Sequence, residues 1–197
     1  MTLPRFNEKA IVTVSKFRFL KKFAIHGFPL PNGEAGRWES VYVSPDSPDV
    51  LVMALTGNRQ VILVKLYRFP VEDFVFELPG GNPEPNEDVF SAAKRELLEE
   101  TGYSTDQPLV MLTEGWSHNG LTNASFKIVL ARDCRQVGEP KLDSVEKIAG
   151  LEIFRRYPDE IMDAIASGDK RYDPLISPGL IALYRKRIYL SHHGLSW

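Results

Sequence analysis

Gly81-Asn-Pro-Glu-Pro-Asn-Glu87, seven further residues, then Arg95-Glu-Leu-Leu-Glu-Glu-Thr-Gly-Tyr103 is the stretch on which the reading of this chain turns. Asn86 as N-cap, Glu87 and Asp88 in a first turn, and Gly102 as the stop predict a helix over 87–101. Phe90, Ala93 and Leu97 give it one apolar face. Residues three and four apart share a face, so Glu96, Glu99 and Glu100 crowd one turn and its edge. Such like charges weaken a helix unless something neutralises them. A hard divalent cation does so, and oxygen-only ligands suit Mg²⁺ or Mn²⁺ far better than zinc. Arg95 stands four residues before Glu99, within ion-pairing reach, and can orient that carboxylate. Ahead of the helix, Gly80 and Gly81 let the backbone approach a metal or a phosphate closely. The bland alternative is a solvated Glu-rich helix face, as most such faces are.

Outward from this stretch the chain reads mostly as strands. Upstream lie Val50–Leu55 and Gln60–Tyr67, joined across Thr56-Gly-Asn-Arg59 with Gly57 and Asn58 able to take positive φ, and then Phe74–Leu78. Earlier still, Ile11–Val14, Phe17–Ala24 and Trp38–Val43 predict a β-rich segment punctuated by Gly and Pro. Downstream come strands near Leu109–Thr113 and Phe126–Ala131, a loop from Arg132 to Pro140 and a strand near Ala149–Phe154. Helices over Asp159–Ala166 and Pro178–Leu190 close the chain. Strands, one helix, strands, then helices predict an α/β (α+β) sandwich rather than a regular βαβ series.

Bulk properties exclude several classes. The 197 residues carry 43% hydrophobic and 25% charged side chains, a globular composition with no need for metal or disulfide staples. A net charge of −2 gives no general attraction to nucleic acid or to an anionic membrane. The single Cys134 fits a reducing compartment, and the first nine residues lack the apolar core of a signal peptide. A cytoplasmic protein is the expectation.

The whole pattern is Gly, five residues, Glu, seven residues, then Arg-Glu-apolar-any-Glu-Glu-any-Gly-apolar. It resembles the Nudix box, with all nine specified positions filled: Gly81, Glu87, Arg95, Glu96, Leu97, Glu99, Glu100, Gly102 and Tyr103. At average residue usage such a match arises by chance roughly once in 10⁹ at a given start, which overrides the solvated-face reading. The resemblance implies a Nudix α/β/α sandwich with a mixed sheet, and a hydrolase in which water attacks a diphosphate with Mg²⁺ bound. It implies Glu96, Glu99, Glu100 and the Gly80 carbonyl as metal ligands, with Arg95 supporting them.

The flanks are similar to the ADP-ribose pyrophosphatase and nucleoside-diphosphate-sugar branch. The likeness rests on Val61–Pro70, Phe76-Glu-Leu-Pro-Gly-Gly81, Asn119–Leu130 and Leu142–Ile148. It departs at Gly80, where the branch usually has Ala, and at His118, where Pro is common. The branch implies a small N-terminal β-rich segment over 1–50 for dimerisation and substrate binding, a hydrolase domain over 51–197, and a homodimer. It also implies a catalytic acid from the 142–148 loop, Glu146, with Asp143 the other candidate. Arg68 is read either as a phosphate clamp or as a strand-end surface residue. Arg37 and Trp38 either contact substrate or, for Trp38, fill a core or an interface. Glu77 either supports the metal loop or is polar at a sheet edge. His118, His192 and His193 have no zinc spacing. The expected substrate is ADP-ribose or a related nucleoside diphosphate sugar. GDP-mannose, a dinucleotide, or a non-catalytic nucleotide-sugar sensor are the alternatives.

Overall fold

The computed structural model of the chain describes residues 7–13, 20–29, 34–43 and 48–192. Val14, residues 17–19 of the expected second strand and His193 lie outside these. The chain divides into two compact units, Met1–Pro48 with Gly115–Phe126, and Asp49–Glu114 with Lys127–Trp197.

In the first unit β1 (Asn7–Thr13), β2 (Leu20–Pro29) and β3 (Ala35–Val43) form an antiparallel sheet in that order. Its third strand is tied to the later segment. The Val41 amide donates to the Leu121 carbonyl at 2.8 Å, and the Val43 amide donates to Asn123 Oδ1 at 2.8 Å. No local pattern in the sequence announces this pairing, because some 80 residues separate the partners.

The second unit is built on β4 (Asp49–Thr56), β5 (Val61–Arg68), β6 (Asp73–Glu77) and β7 (Gly80–Gly81). The helix α1 (Val89–Thr101) follows, then β8 (Tyr103–Ser104), β9 (Val110–Trp116) and β10 (Ser125–Gln136). The chain continues through α2 (Ser144–Ile148), β11 (Glu152–Arg156), α3 (Pro158–Ala166) and α4 (Ile176–His192). One eight-stranded sheet runs β11-β5-β4-β10-β8, with β6 on β5, β7 on β4 and β9 on β10. Val50, Val52 and Ala54 of β4 pack with Ala92, Ala93 and Leu97 of α1. Met53 points the other way, where a Cβ on Gly179 of α4 would lie 2.7 Å from its Cε. Helices thus cover both faces, which is why β4 and β5 are apolar almost throughout. No described helix is long and apolar enough to cross a membrane.

Several boundaries differ from the sequence expectation. The N-cap of α1 is Asp88, whose carboxylate accepts from the Phe90 and Ser91 amides, so Glu87 stands before the helix. Asn86 instead adopts a left-handed φ of 67°, which an N-cap residue cannot use. Phe90 is 40% exposed and lies off the buried face, which runs through Ala92, Ala93, Glu96, Leu97, Glu100 and Thr101. In the β4–β5 turn the left-handed non-glycine residue is Arg59, at φ 63°. The strand β10 continues to Gln136 through what reads as loop, because buried Cys134 interrupts its charged run. Residues 144–148 form a helical turn, and the strand after them starts at Glu152.

Gly102 ends α1 at φ 69°, with its amide donating to the Leu98 carbonyl. A Cβ there would sit 2.1 Å from the Gly138 carbonyl oxygen. Gly102→Ala is therefore expected to destabilise the chain by about 3 kcal/mol, combining left-handed strain with a clash against backbone. Urea unfolding checks this, and a midpoint equal to the parent's would refute it.

Candidate active site

The box glycines and the α1 carboxylates meet because β7 lies against the start of β4, with Gly80 opposite Leu51 and Gly81 opposite Val50. A Cβ on Gly80 would fall 2.2 Å from the Val50 carbonyl oxygen, and one on Gly81 would fall 2.5 Å from Glu96 Oε1. Both glycines are needed for close approach, the second to make room for a carboxylate. The Gly80 amide donates to Glu100 Oε2 at 2.9 Å, fastening the loop to the helix.

Arg95 gathers the other acids. Its Nε and Nη2 donate to the two Glu87 oxygens at 3.0 and 2.8 Å. Its Nη1 donates to Glu96 Oε1 at 2.8 Å and to Glu99 Oε2 at 3.2 Å, and its Nη2 also reaches the Asn82 carbonyl at 3.2 Å. These bonds hold the guanidinium pKa far above its ordinary value and pull Glu87 below the usual carboxylate range. Glu96 and Glu100 go the other way. Burial raises Glu96, against the pull of Arg95, and burial raises Glu100 strongly, against its bond from the Gly80 amide. The site therefore contains buried negative charge that the protein compensates incompletely.

Residues 45–175 match the NUDIX domain family. The chain belongs to the Nudix family. It is 38% identical to a methanol dehydrogenase activator of Bacillus methanolicus over 93% of this chain and 87% of that one. It is 34% identical to an ADP-ribose pyrophosphatase of Bacillus subtilis over 63% of this chain and 65% of the other. A solved structure described as an ADP compounds hydrolase covers all of both chains with a TM-score of 0.74 at 21% identity, a likeness of fold.

Among the described residues, no three His, Cys, Asp or Glu side chains already stand as a set of metal ligands. Arg95 links Glu96 and Glu99 instead. The donor set nonetheless fits a hard cation. Its ligands would all be oxygens, and a divalent ion would relieve the two raised carboxylates. Glu96, Glu99 and Glu100 are the side chains that would hold it.

The remaining acids of the sequence reading separate clearly. Asp143 is the N-cap of α2, its Oδ1 accepting from the Val145 and Glu146 amides at 2.7 and 2.8 Å. Glu146 completes a capping box by accepting from the Asp143 amide at 2.6 Å. Asp-x-x-Glu is a sequence signature of such a box, so this geometry was open to reading. The Glu146 charge also acts on both Glu96 and Glu100, raising their pKa values. Glu152 is 62% exposed and pairs with Lys65.

Arg68 is bonded to Glu77 through Nε, at 2.6 Å, and through Nη2. That bidentate pair raises the Arg68 pKa, and Glu100 and Asp173 add to the effect. Glu77 is thus the partner of Arg68 rather than a bare edge residue. Asp49, which the sequence reading did not single out, is raised by burial and by Asp173 while Arg68 opposes the shift. Arg37 and Trp38 belong to the first unit and are exposed. Trp38 is 53% exposed, not a core residue there, and its Nε1 donates to the Gly120 carbonyl at 2.9 Å.

Arg95→Lys is expected to lower stability by about 2–3 kcal/mol. An ammonium cannot serve Glu87, Glu96 and Glu99 from one fork, and the loss is moderated because 23% of the Arg95 side chain reaches solvent. Thermal unfolding in chelator reads it, and added Mg²⁺ should restore part. An unchanged midpoint would show that the network contributes nothing.

Proposed function

We propose that the chain hydrolyses the diphosphate bond of ADP-ribose or a related nucleoside diphosphate sugar, giving a nucleoside monophosphate and a sugar phosphate. The observation that carries this reading is the pair of buried, under-compensated carboxylates Glu96 and Glu100 beside the Gly80–Gly81 loop, with Arg95 aligning Glu96 and Glu99. The names of the relatives supply the substrate class. Mg²⁺, with Mn²⁺ a substitute, would supply charge neutralisation at the phosphoryl oxygens and acidify an attacking water. Glu96, Glu99 and Glu100 would hold it, together with the Gly80 carbonyl. Glu146 takes the proton of the attacking water on its carboxylate. Half-exposed Arg68, kept charged and oriented by Glu77, meets a substrate phosphate. Trp38 stacks on the base and Arg37 contacts a phosphate.

The test is a panel of nucleoside diphosphate sugars and dinucleotides with Mg²⁺, products identified by mass spectrometry. Hydrolysis of ADP-ribose or a close analogue that stops in EDTA supports the reading. Full activity in chelator, or no turnover of any member, overturns it. A second reading, action on a partner enzyme, is favoured by the likeness to the methanol dehydrogenase activator of Bacillus methanolicus. It would show as a rate change in a dehydrogenase mixed with the chain.

We further propose that residues 1–50 serve dimerisation and substrate binding and residues 51–197 serve hydrolysis, in a cytoplasmic homodimer. Light scattering at working concentration should give twice the chain mass. A fully active monomer would refute the dimer.

A further inference from the structure

A cleft of about 390 Å³ opens in the second unit away from the box. It lies at the far end of β4. Gly80 pairs with Leu51 near the strand's start, whereas Leu55 and Thr56 at its end line the cleft. Four to five residues of strand put the two places about 13–17 Å apart. Leu55, Leu183 and Pro158 give the cleft apolar walls, and Tyr184 adds an aromatic ring. The volume is that of a small-ligand site, and its lining is about as polar as it is apolar.

Its polar lining is uneven. Two guanidinium groups, Arg59 and Arg132, and one carboxylate, Asp133, are among the lining residues, and a second acid, Asp159, accepts from the Tyr184 hydroxyl. Neither arginine has an ion pair among the described contacts. Arg132 Nε is the buried side-chain polar atom that lacks a hydrogen-bond partner among the described residues. A buried donor without an acceptor is costly, and native proteins rarely leave one so. That Nε is itself shut off from solvent, so an oxyanion in the cleft would meet the terminal guanidinium nitrogens, since arginine binds such groups through its N–H fork.

We infer that this cleft binds a small organic oxyanion, a phosphomonoester carrying an aromatic or apolar body, at a site separate from the Nudix box. The inference does not depend on the hydrolytic reading. The oxyanion meets Arg132 and Arg59, and the body lies against Leu55, Leu183 and Tyr184.

Calorimetric titration of the full chain with adenosine 5′-monophosphate in EDTA tests it, with adenosine and inorganic phosphate as separate arms. The expected result is one saturable site for the nucleotide, with adenosine binding far more weakly and phosphate competing. Arg132→Gln should weaken binding by about 10- to 100-fold, the loss of a charge-assisted contact. Two further variants guard against a folding defect. Arg59→Gly removes a cation and suits the left-handed φ of 63°. Gly57→Leu puts a bulky side chain at a position that lines the cleft and where a Cβ meets no heavy atom within 4 Å. Both should keep the parent's melting temperature and lose the nucleotide, while Glu100→Gln should keep it. Absence of saturable binding, equal affinity for adenosine, or binding that survives all three cleft variants would overturn the site.

Discussion

Glu146→Gln should lower kcat on the best nucleoside diphosphate sugar by about 10²–10⁴, the range for loss of a general base. KM and the Mg²⁺ requirement should change little. The substitution isolates chemistry from stability, because glutamine at this position of a capping box can still accept from the Asp143 amide. Asp143→Asn is the paired control. Asparagine caps a helix about as well as aspartate, so α2 should persist and turnover should stay within a few-fold. If Asp143→Asn abolishes turnover and Glu146→Gln does not, the base is Asp143 and Glu146 only caps.

Glu100→Gln should cost about 10²–10³ in kcat, the loss typical of removing one preorganised electrostatic contact from a reacting centre. Its effect on stability should run the other way. The Glu100 pKa is raised well above the carboxylate value by burial. A carboxylate with a raised folded pKa costs nothing below the unfolded pKa, and stability falls as pH rises from there to the folded value. In EDTA near neutral pH, glutamine removes that penalty while an amide oxygen can still accept from Gly80. The variant should therefore melt above the parent in chelator and gain less from Mg²⁺. A variant that melts lower in EDTA and gains as much from Mg²⁺ would show that Glu100 is neither penalised nor a ligand.

Much of the second unit could be read from residue order because its signals are local. Helical spacing placed Glu96 and Glu100 on one face, and Gly102 marked the end of α1 in the conformation that it adopts. What escaped had competing local signals or none. Asn86 and Asp88 are both good caps by residue type, and only the left-handed backbone at Asn86 decides between them. Five residues are too few to show a helical period, so α2 read as loop despite its capping box. The Asp49, Arg68 and Asp173 grouping joins residues more than a hundred positions apart, and no spacing rule reaches that far. Arg68 itself was legible as a cation near the loop, but the β5–β6 register sets it opposite Asp73 and sets Glu77 opposite Val64, so its bidentate hold on Glu77 runs along the strands and has no signal in residue order.

The first unit draws one of its parts from the middle of the chain, and this sets a timetable for synthesis. The bonds from Val43 to Asn123 and from Trp38 to Gly120 span 80 and 82 residues. A ribosome adding about 5–20 residues per second leaves β3 waiting some 4–16 s for those partners. During that interval the half-finished sheet offers an unpaired edge at Val41 to any passing strand. Nascent chains crowded on one message would be the first to meet that hazard, and slow codons between residues 43 and 115 would prolong it.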